Sequence, residues 1–145
     1  MEQIRFITGI LLSSNDPDSL AKFYCETLKV PLEKTEHGGT KVHYECDLGD
    51  VHFAIHPLYP GQTNPRNTAA RIGFAVFNIA DVKTQLEANA VKFYGPQTRD
   101  FGTVISLIDP DGNAVDLYEH SADHYQHIEK LRSKFDLLKF WKASK

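Results

Sequence analysis

Two βαβββ modules followed by a C-terminal amphipathic helix, an α+β architecture, are what the order of elements in this 145-residue chain points to. Two observations carry that reading. The same order of apolar runs and turn signals occurs twice between residues 4 and 120, and internal self-similarity of this kind is evidence at the level of the fold. Beyond it, residues 121–145 change to helical periodicity. The sequence therefore divides into a single domain, 4–120, with module one at 4–57 and module two at 70–120, and a helix at 121–145.

In module one, Phe6–Ser13 is apolar and rich in branched residues, as expected of a buried strand. Asn15-Asp16-Pro17 supplies a cap and a first-turn proline. Leu20, Phe23, Tyr24 and Leu28 then recur at three- and four-residue spacing, so the helix has one apolar face. Strands are expected at Leu32–Thr35, Lys41–Leu48 and Val51–His56, with Gly49-Asp50 as a two-residue hairpin turn. Residues 57–70, with Pro57, Pro60, Gly61 and Pro65, have no periodicity and read as the connection.

Module two repeats the order. Arg71–Phe77 reads as a strand and Asn78 as the cap of a helix facing inward through Val82 and Leu86. Strands follow at Val91–Tyr94 and Thr103–Ile108. Asp109-Pro110-Asp111-Gly112-Asn113 makes a tight turn into the last strand, Ala114–Glu119. In the C-terminal segment Asp123 and Gln126 have capping-box spacing. Tyr125, Ile128, Leu131, Phe135, Leu138 and Trp141 form an apolar stripe, suited to cover the body or a second subunit.

Composition excludes several classes. Hydrophobic residues at 41% and charged residues at 24% fit a globular domain. A formal net charge of −3 speaks against nucleic-acid binding. No run approaches the length of a membrane span, and no small-residue cleavage site follows the first apolar stretch, so neither a membrane partner nor a signal peptide is expected. Two cysteines, Cys25 and Cys46, suit packing in a reducing cytoplasm. The charge is uneven: residues 129–145 set six cations against Glu129 and Asp136, a net of +4, leaving −7 on the rest. Either an anionic partner or docking within the assembly would use that tail.

The doubled order, together with Ile108-Asp109-Pro110-Asp111-Gly112-Asn113-Ala114-Val115-Asp116-Leu117, resembles the vicinal oxygen chelate (VOC) superfamily of glyoxalases, fosfomycin- and bleomycin-resistance proteins and extradiol dioxygenases. Leu20-Ala21-Lys22-Phe23-Tyr24 and Ile72-Gly73-Phe74-Ala75-Val76 add to it. The resemblance implies a curved, open eight-stranded sheet whose concave face holds a small molecule, and frequent homodimers. The family usually places glycine after each module's helix; here Lys29 and Ala90 stand there, with Asn89 the candidate for a left-handed cap.

The resemblance also implies four metal-ligand positions, which fall on Gly9, Ala54, Arg71 and Asp116. Only Asp116 can ligate, because glycine and alanine offer no donor and a guanidinium has no lone pair. A two-residue shift would bring His52 or His56 to the place of Ala54, but these lie about 13 Å apart along one strand and cannot share an ion. The expectation is a small-molecule binder without the family's divalent metal, Asp116 being the weak metal candidate. The alternative is a metal-dependent lyase, isomerase, dioxygenase or antibiotic-modifying transferase with an altered ligand set. Strand alternation places Ser13, His52, His56, Arg71, Asp116 and Tyr118 on the cleft side as ligand-binding candidates. His52, His56 and Tyr118 are the catalytic candidates. An Arg71–Asp116 pair has two readings: a closed ion pair that neutralises a polar cleft, or an arginine placed to clamp a carboxylate or phosphate. His43 and Glu45 fall at the rim. His120, His124 and His127 share one helical face and read as solvated surface.

Overall fold

The computed structural model describes residues 4, 6–37, 39, 41–63, 66–134, 137–143 and 145, without the side chains of residues 137 and 140. Module one runs β1 (Gly9–Ser14), α1 (Pro17–Lys22) continuing into a π-helical turn (Phe23–Thr27), β2 (Glu33–Thr35), β3 (His43–Leu48) and β4 (Val51–Pro57). Module two runs β5 (Arg71–Ala75), α2 (Ile79–Ala88), β6 (Phe93–Arg99), β7 (Gly102–Ile108) and β8 (Ala114–His120). Two helices follow, α3 (Ala122–Arg132) and α4 (Leu137–Ala143).

The eight strands are hydrogen-bonded as two four-stranded mixed sheets, ordered β1-β4-β3-β2 and β5-β8-β7-β6. In each, the outer and last strands of the module pair in parallel, β1 with β4 and β5 with β8. The helix-facing sides of both sheets share one apolar core, built around Leu20, Tyr24, Phe53, Ile55, Leu86, Ile105 and Val115. Phe53 of β4 meets Phe74 of β5 edge-on at 5.4 Å between centroids. Tyr24 reaches from module one to donate its hydroxyl hydrogen bond to Asp109 at 2.8 Å. Asp109 also accepts from the backbone N–H groups of Asp111 and Asn113, so the same carboxylate closes the turn and locks the modules together. Burial and that neighbouring carboxylate push the Tyr24 phenol up.

Several expected boundaries shift for physical reasons. β1 begins at Gly9 rather than Phe6, and Ile7 is exposed. The strand expected to end at Tyr94 continues to Arg99, across a register shift that absorbs Gly95-Pro96. Ser121, not Asp123, caps α3, its hydroxyl accepting from the His124 N–H. Asp123 lies in the first turn, where its charge suits the helix N-terminus. Asn89 keeps a negative φ, and Ala90 itself takes the left-handed conformation at φ 54°. The expected single C-terminal helix is two, and Phe135 of its stripe lies outside the described residues.

Candidate functional site

Because both apolar faces turn toward the shared core, strand alternation sends the polar residues to the opposite side of each sheet. Two polar faces result, one per module. Arg71, Asp116 and Tyr118 lie on that of module two; Ser13, His52 and His56 lie on that of module one.

On module two, Asp116 is the centre. It accepts from the Arg71 Nε–H at 2.7 Å and from a second guanidinium N–H, forming the bidentate fork that arginine and carboxylate favour. The Ser106 hydroxyl of β7 donates to it at 2.6 Å, and the Tyr118 hydroxyl at 3.0 Å. Four donors on one carboxylate with only 8% of its side chain exposed make a fully satisfied network. The Arg71 bonds hold the Asp116 carboxyl at about 2, against the opposing effect of burial, with help from Ser106 and Tyr118. Burial, then the same carboxylate, pushes the Tyr118 phenol up, so this residue acts here as a donor. Gly73 leaves room for its ring: a Cβ there would lie 3.0 Å from Tyr118 Cε2. Phe101, Tyr118, His120 and His124 continue the face as a ladder of aromatic rings.

The Arg71 side chain is 47% exposed. Two of the five guanidinium N–H groups are committed to Asp116, and the rest of the fork remains at the surface. Both readings of the pair are thus physically compatible: the ion pair is closed, and its cationic edge is still presented. Asp116 is occupied by Arg71, and Gly9 and Ala54 carry no donor, so the residues at the four family metal positions do not fit an ion.

On module one the two-residue turn at Gly49-Asp50 fixes the register, placing Asp47 opposite His52 and Glu45 opposite Ala54. His43 and Glu45 are therefore in the middle of the face rather than at its rim. Glu45 Oε2 lies 3.2 Å from His43 Nε2 and 3.3 Å from His52 Nε2. Glu45 Oε1 lies 3.3 Å from His37 Nε2, and Asp47 lies 2.9 Å from His52 Nδ1. His43 stacks on His56 at 4.3 Å. His37 and His43 pull the Glu45 carboxyl down against desolvation. Burial, and then the neighbouring His43, push the His56 imidazole down, which favours its neutral form. Ser13 sits opposite His56 in the β1–β4 register.

A polar hollow of about 430 Å³ beside this cluster is lined by Glu33, Thr35, Glu45, Asp47 and His52. A separate cavity of about 470 Å³ opens between the sheets on their apolar sides, against Ile10, Phe53, Ile72 and Phe74. It lacks the convergent polar groups that chemistry needs. Sequence reasoning missed His37 and undervalued His43 and Glu45. The signal was present: counting back across the Gly49-Asp50 turn pairs 47 with 52 and 45 with 54.

The family model described as Glyoxalase/Bleomycin resistance protein/Dioxygenase superfamily matches residues 7–117. Curated proteins give no match. Among solved structures, TnmS3, an antibiotic binding protein from Streptomyces sp. CB03234, superposes with a TM-score of 0.67 at 20% identity, covering 83% of this chain and 100% of its own. A glyoxalase/bleomycin resistance protein from the same Streptomyces gives 0.64 at 20% identity, covering 79% of this chain and 100% of its own. An integron cassette protein from V. cholerae gives 0.64 at 21% identity over 83% of this chain and 99% of its own.

Proposed function

The chain belongs to the glyoxalase/bleomycin resistance protein/dioxygenase superfamily, and we propose that it binds a small molecule over the polar sheet faces without a metal at the family positions. The unit that binds is residues 4–120, with 121–145 appended. The observation that carries this reading is the Arg71–Asp116–Ser106–Tyr118 network. It is prebuilt and fully hydrogen-bonded, and it presents a cationic edge beside the rings of Phe101, Tyr118 and His120. Such a surface suits a planar ligand with a carboxylate or phosphate, because arginine recognises those groups bidentately and aromatic rings stack on the remainder. The antibiotic binding named for TnmS3 supports the class of ligand.

The protein in this reading is a cytoplasmic homodimer, with the exposed apolar stripe of the C-terminal helices as the surface a second copy would meet. Ser13, His52 and His56 contribute the second wall. A second reading, metal-dependent catalysis with an altered ligand set, has one observation in its favour, the approach of His37, His43 and Glu45. In that case the neutral His56 is the general base.

Binding is tested by calorimetry with a panel of planar aromatic antibiotics, half of them anionic. Saturable binding of anionic members is expected, weakened about 10- to 100-fold by Arg71→Ala, in line with about 1.5–3 kcal/mol for hydrogen bonds to a charged group. Equal affinity of the variant would remove Arg71 from the site, and no binding by any member would sink the proposal.

A further inference from the structure

The cavity of about 470 Å³ on the apolar sides of the sheets has a neighbour of about 540 Å³ against α2. Leu28, Lys29, Leu48, Ala75, Val76 and Leu117 line both, so the two spaces adjoin. The walls are partly core, with Phe53 and Leu117 buried, whereas Phe77 on the outer cavity is fully exposed. Each volume lies within the range of about 300–1,000 Å³ that small-molecule sites occupy. Among the described residues that line the inner cavity, Lys29 alone is charged. Asp81 lines only the outer one, and no hydrogen bond or ion pair engages the Lys29 ammonium among the described residues.

The backbone singles out the same lysine. Lys29 sits at φ 60° because the chain reverses after the π-helical turn, and the Val30 N–H returns to the Tyr24 carbonyl at 2.9 Å. Glycine takes that conformation freely, whereas a Cβ there meets the following carbonyl oxygen. Module two makes its corresponding turn with Ala90 at φ 54°, a minimal side chain that lines neither cavity. Strained residues of this kind gather at ligand clamps, where the surrounding structure holds them. Here the strained position carries a long cationic side chain, and it stands where the two apolar cavities adjoin.

We infer that this space is a second binding site, for a small amphipathic anion: a carboxylate held at Lys29, with an apolar tail between the sheets. A lysine stem lies along apolar surface while its ammonium stays at the water's edge. The ammonium is a mobile point charge rather than a planar fork. It therefore suits an anion whose position is set by its tail, buried against Ile10, Ile72 and Phe74. Arg71, Asp116 and Tyr118 lie on the opposite side of the sheets, so this site is separate from the ligand site proposed above and either can fail alone.

The test titrates the full-length protein by calorimetry with decanoate, octanoate, decanol and decylamine, each below its micellar concentration. One decanoate per chain is expected, bound about 15-fold more tightly than octanoate, at about fourfold per buried methylene. Decylamine should bind most weakly. Lys29→Met should weaken decanoate about 10-fold, the low end for a hydrogen bond to a charged group, and leave decanol unchanged. Lys29→Gly should lose decanoate affinity likewise while melting no lower than wild type, which separates lost binding from lost folding. Val76→Phe narrows both cavities and should lose decanoate and decanol alike. Lys92→Met, which removes a cation just past the corresponding turn of module two, should bind as wild type does. Decylamine bound as tightly as decanoate, octanoate bound equally well, or no saturable binding would each overturn the site. So would unchanged affinity in Lys29→Met or Val76→Phe, or equal weakening by Lys92→Met. Sedimentation of the same mixtures supplies one more outcome: a dimer dissociated by decanoate would mean that a second copy covers the cavity, and would overturn the site as well.

Discussion

Asp116 is the residue on which the site's electrostatics turn. Its folded pKa is depressed from 3.8 to about 2, chiefly by Arg71. A depressed carboxylate stabilises the fold fully above its ordinary pKa, and that contribution is lost as pH falls through the folded value. The shift is worth about 2 kcal/mol, at about 1.36 kcal/mol per unit. Asp116→Asn should therefore be about 2 kcal/mol less stable than wild type at pH 7, with the gap closing between about pH 4 and pH 2. Urea unfolding of both proteins across that range checks it, and a gap independent of pH would deny the ion pair its role. The pairing of Arg71 with Asp116 could be anticipated because the family resemblance puts a cation and a lone carboxylate at neighbouring ligand positions, and the two side chains do meet. The histidine cluster could not be assembled from strand alternation alone. Its members sit on two strands and a loop, so they meet only across a ladder, and His37 lies on no regular element that fixes where it points.

Among the elements, the ends of the first helix of each module carry a cost the sequence displays openly. Lys29 at φ 60° and Ala90 at φ 54° adopt the left-handed conformation, where a Cβ meets the following carbonyl oxygen. At Ala90 the reason is clear: the Val91 N–H reaches the Leu86 carbonyl and the Ala90 N–H that of Glu87, the paired bonds of a Schellman motif. The motif's geometry, rather than the preference of Asn89 beside it, decides which residue turns left-handed. Relieving about 1–2 kcal/mol of strain, less about 0.4–1 kcal/mol for the freer unfolded glycine, predicts a gain of about 0.5–1 kcal/mol from Ala90→Gly, and the same from Lys29→Gly. The two sites belong to different modules, so the gains should add. Calorimetry should show melting rise by about 2–4 °C per kcal/mol, and a fall in either variant would mean the side chain contributes packing that outweighs the strain. The other elements were readable wherever one period ran unbroken. They were misjudged where it was interrupted, as at Gly95-Pro96, which halts an apolar run without ending β6.

For the molecule as a whole, the modest net charge conceals a division between an acidic body and a cationic tail. Among the described residues of the stripe, Tyr125 meets His120 edge-on at 5.4 Å, while Leu138 is 69% exposed and Trp141 56%. One polar contact back to the modules is Arg132 with Asp50 at 2.8 Å, an exposed pair worth little by itself. An unburied stripe of large residues is a marker of a protein surface that another protein covers. In the homodimer proposed above, that partner is a second acidic body, which would also match the +4 of residues 129–145 against the −7 of the rest. The two modules, by contrast, are already held together within one chain by Tyr24, Asp109, Phe53 and Phe74. Removing the tail should therefore cost association without costing the fold. Truncation after His120 should give monomers in sedimentation velocity while circular dichroism and cooperative melting persist, and dimers should weaken in the full-length protein as salt is raised. A truncated chain that still sediments as a dimer would move the interface to the polar faces of the sheets, where Arg71 and His52 stand half-exposed.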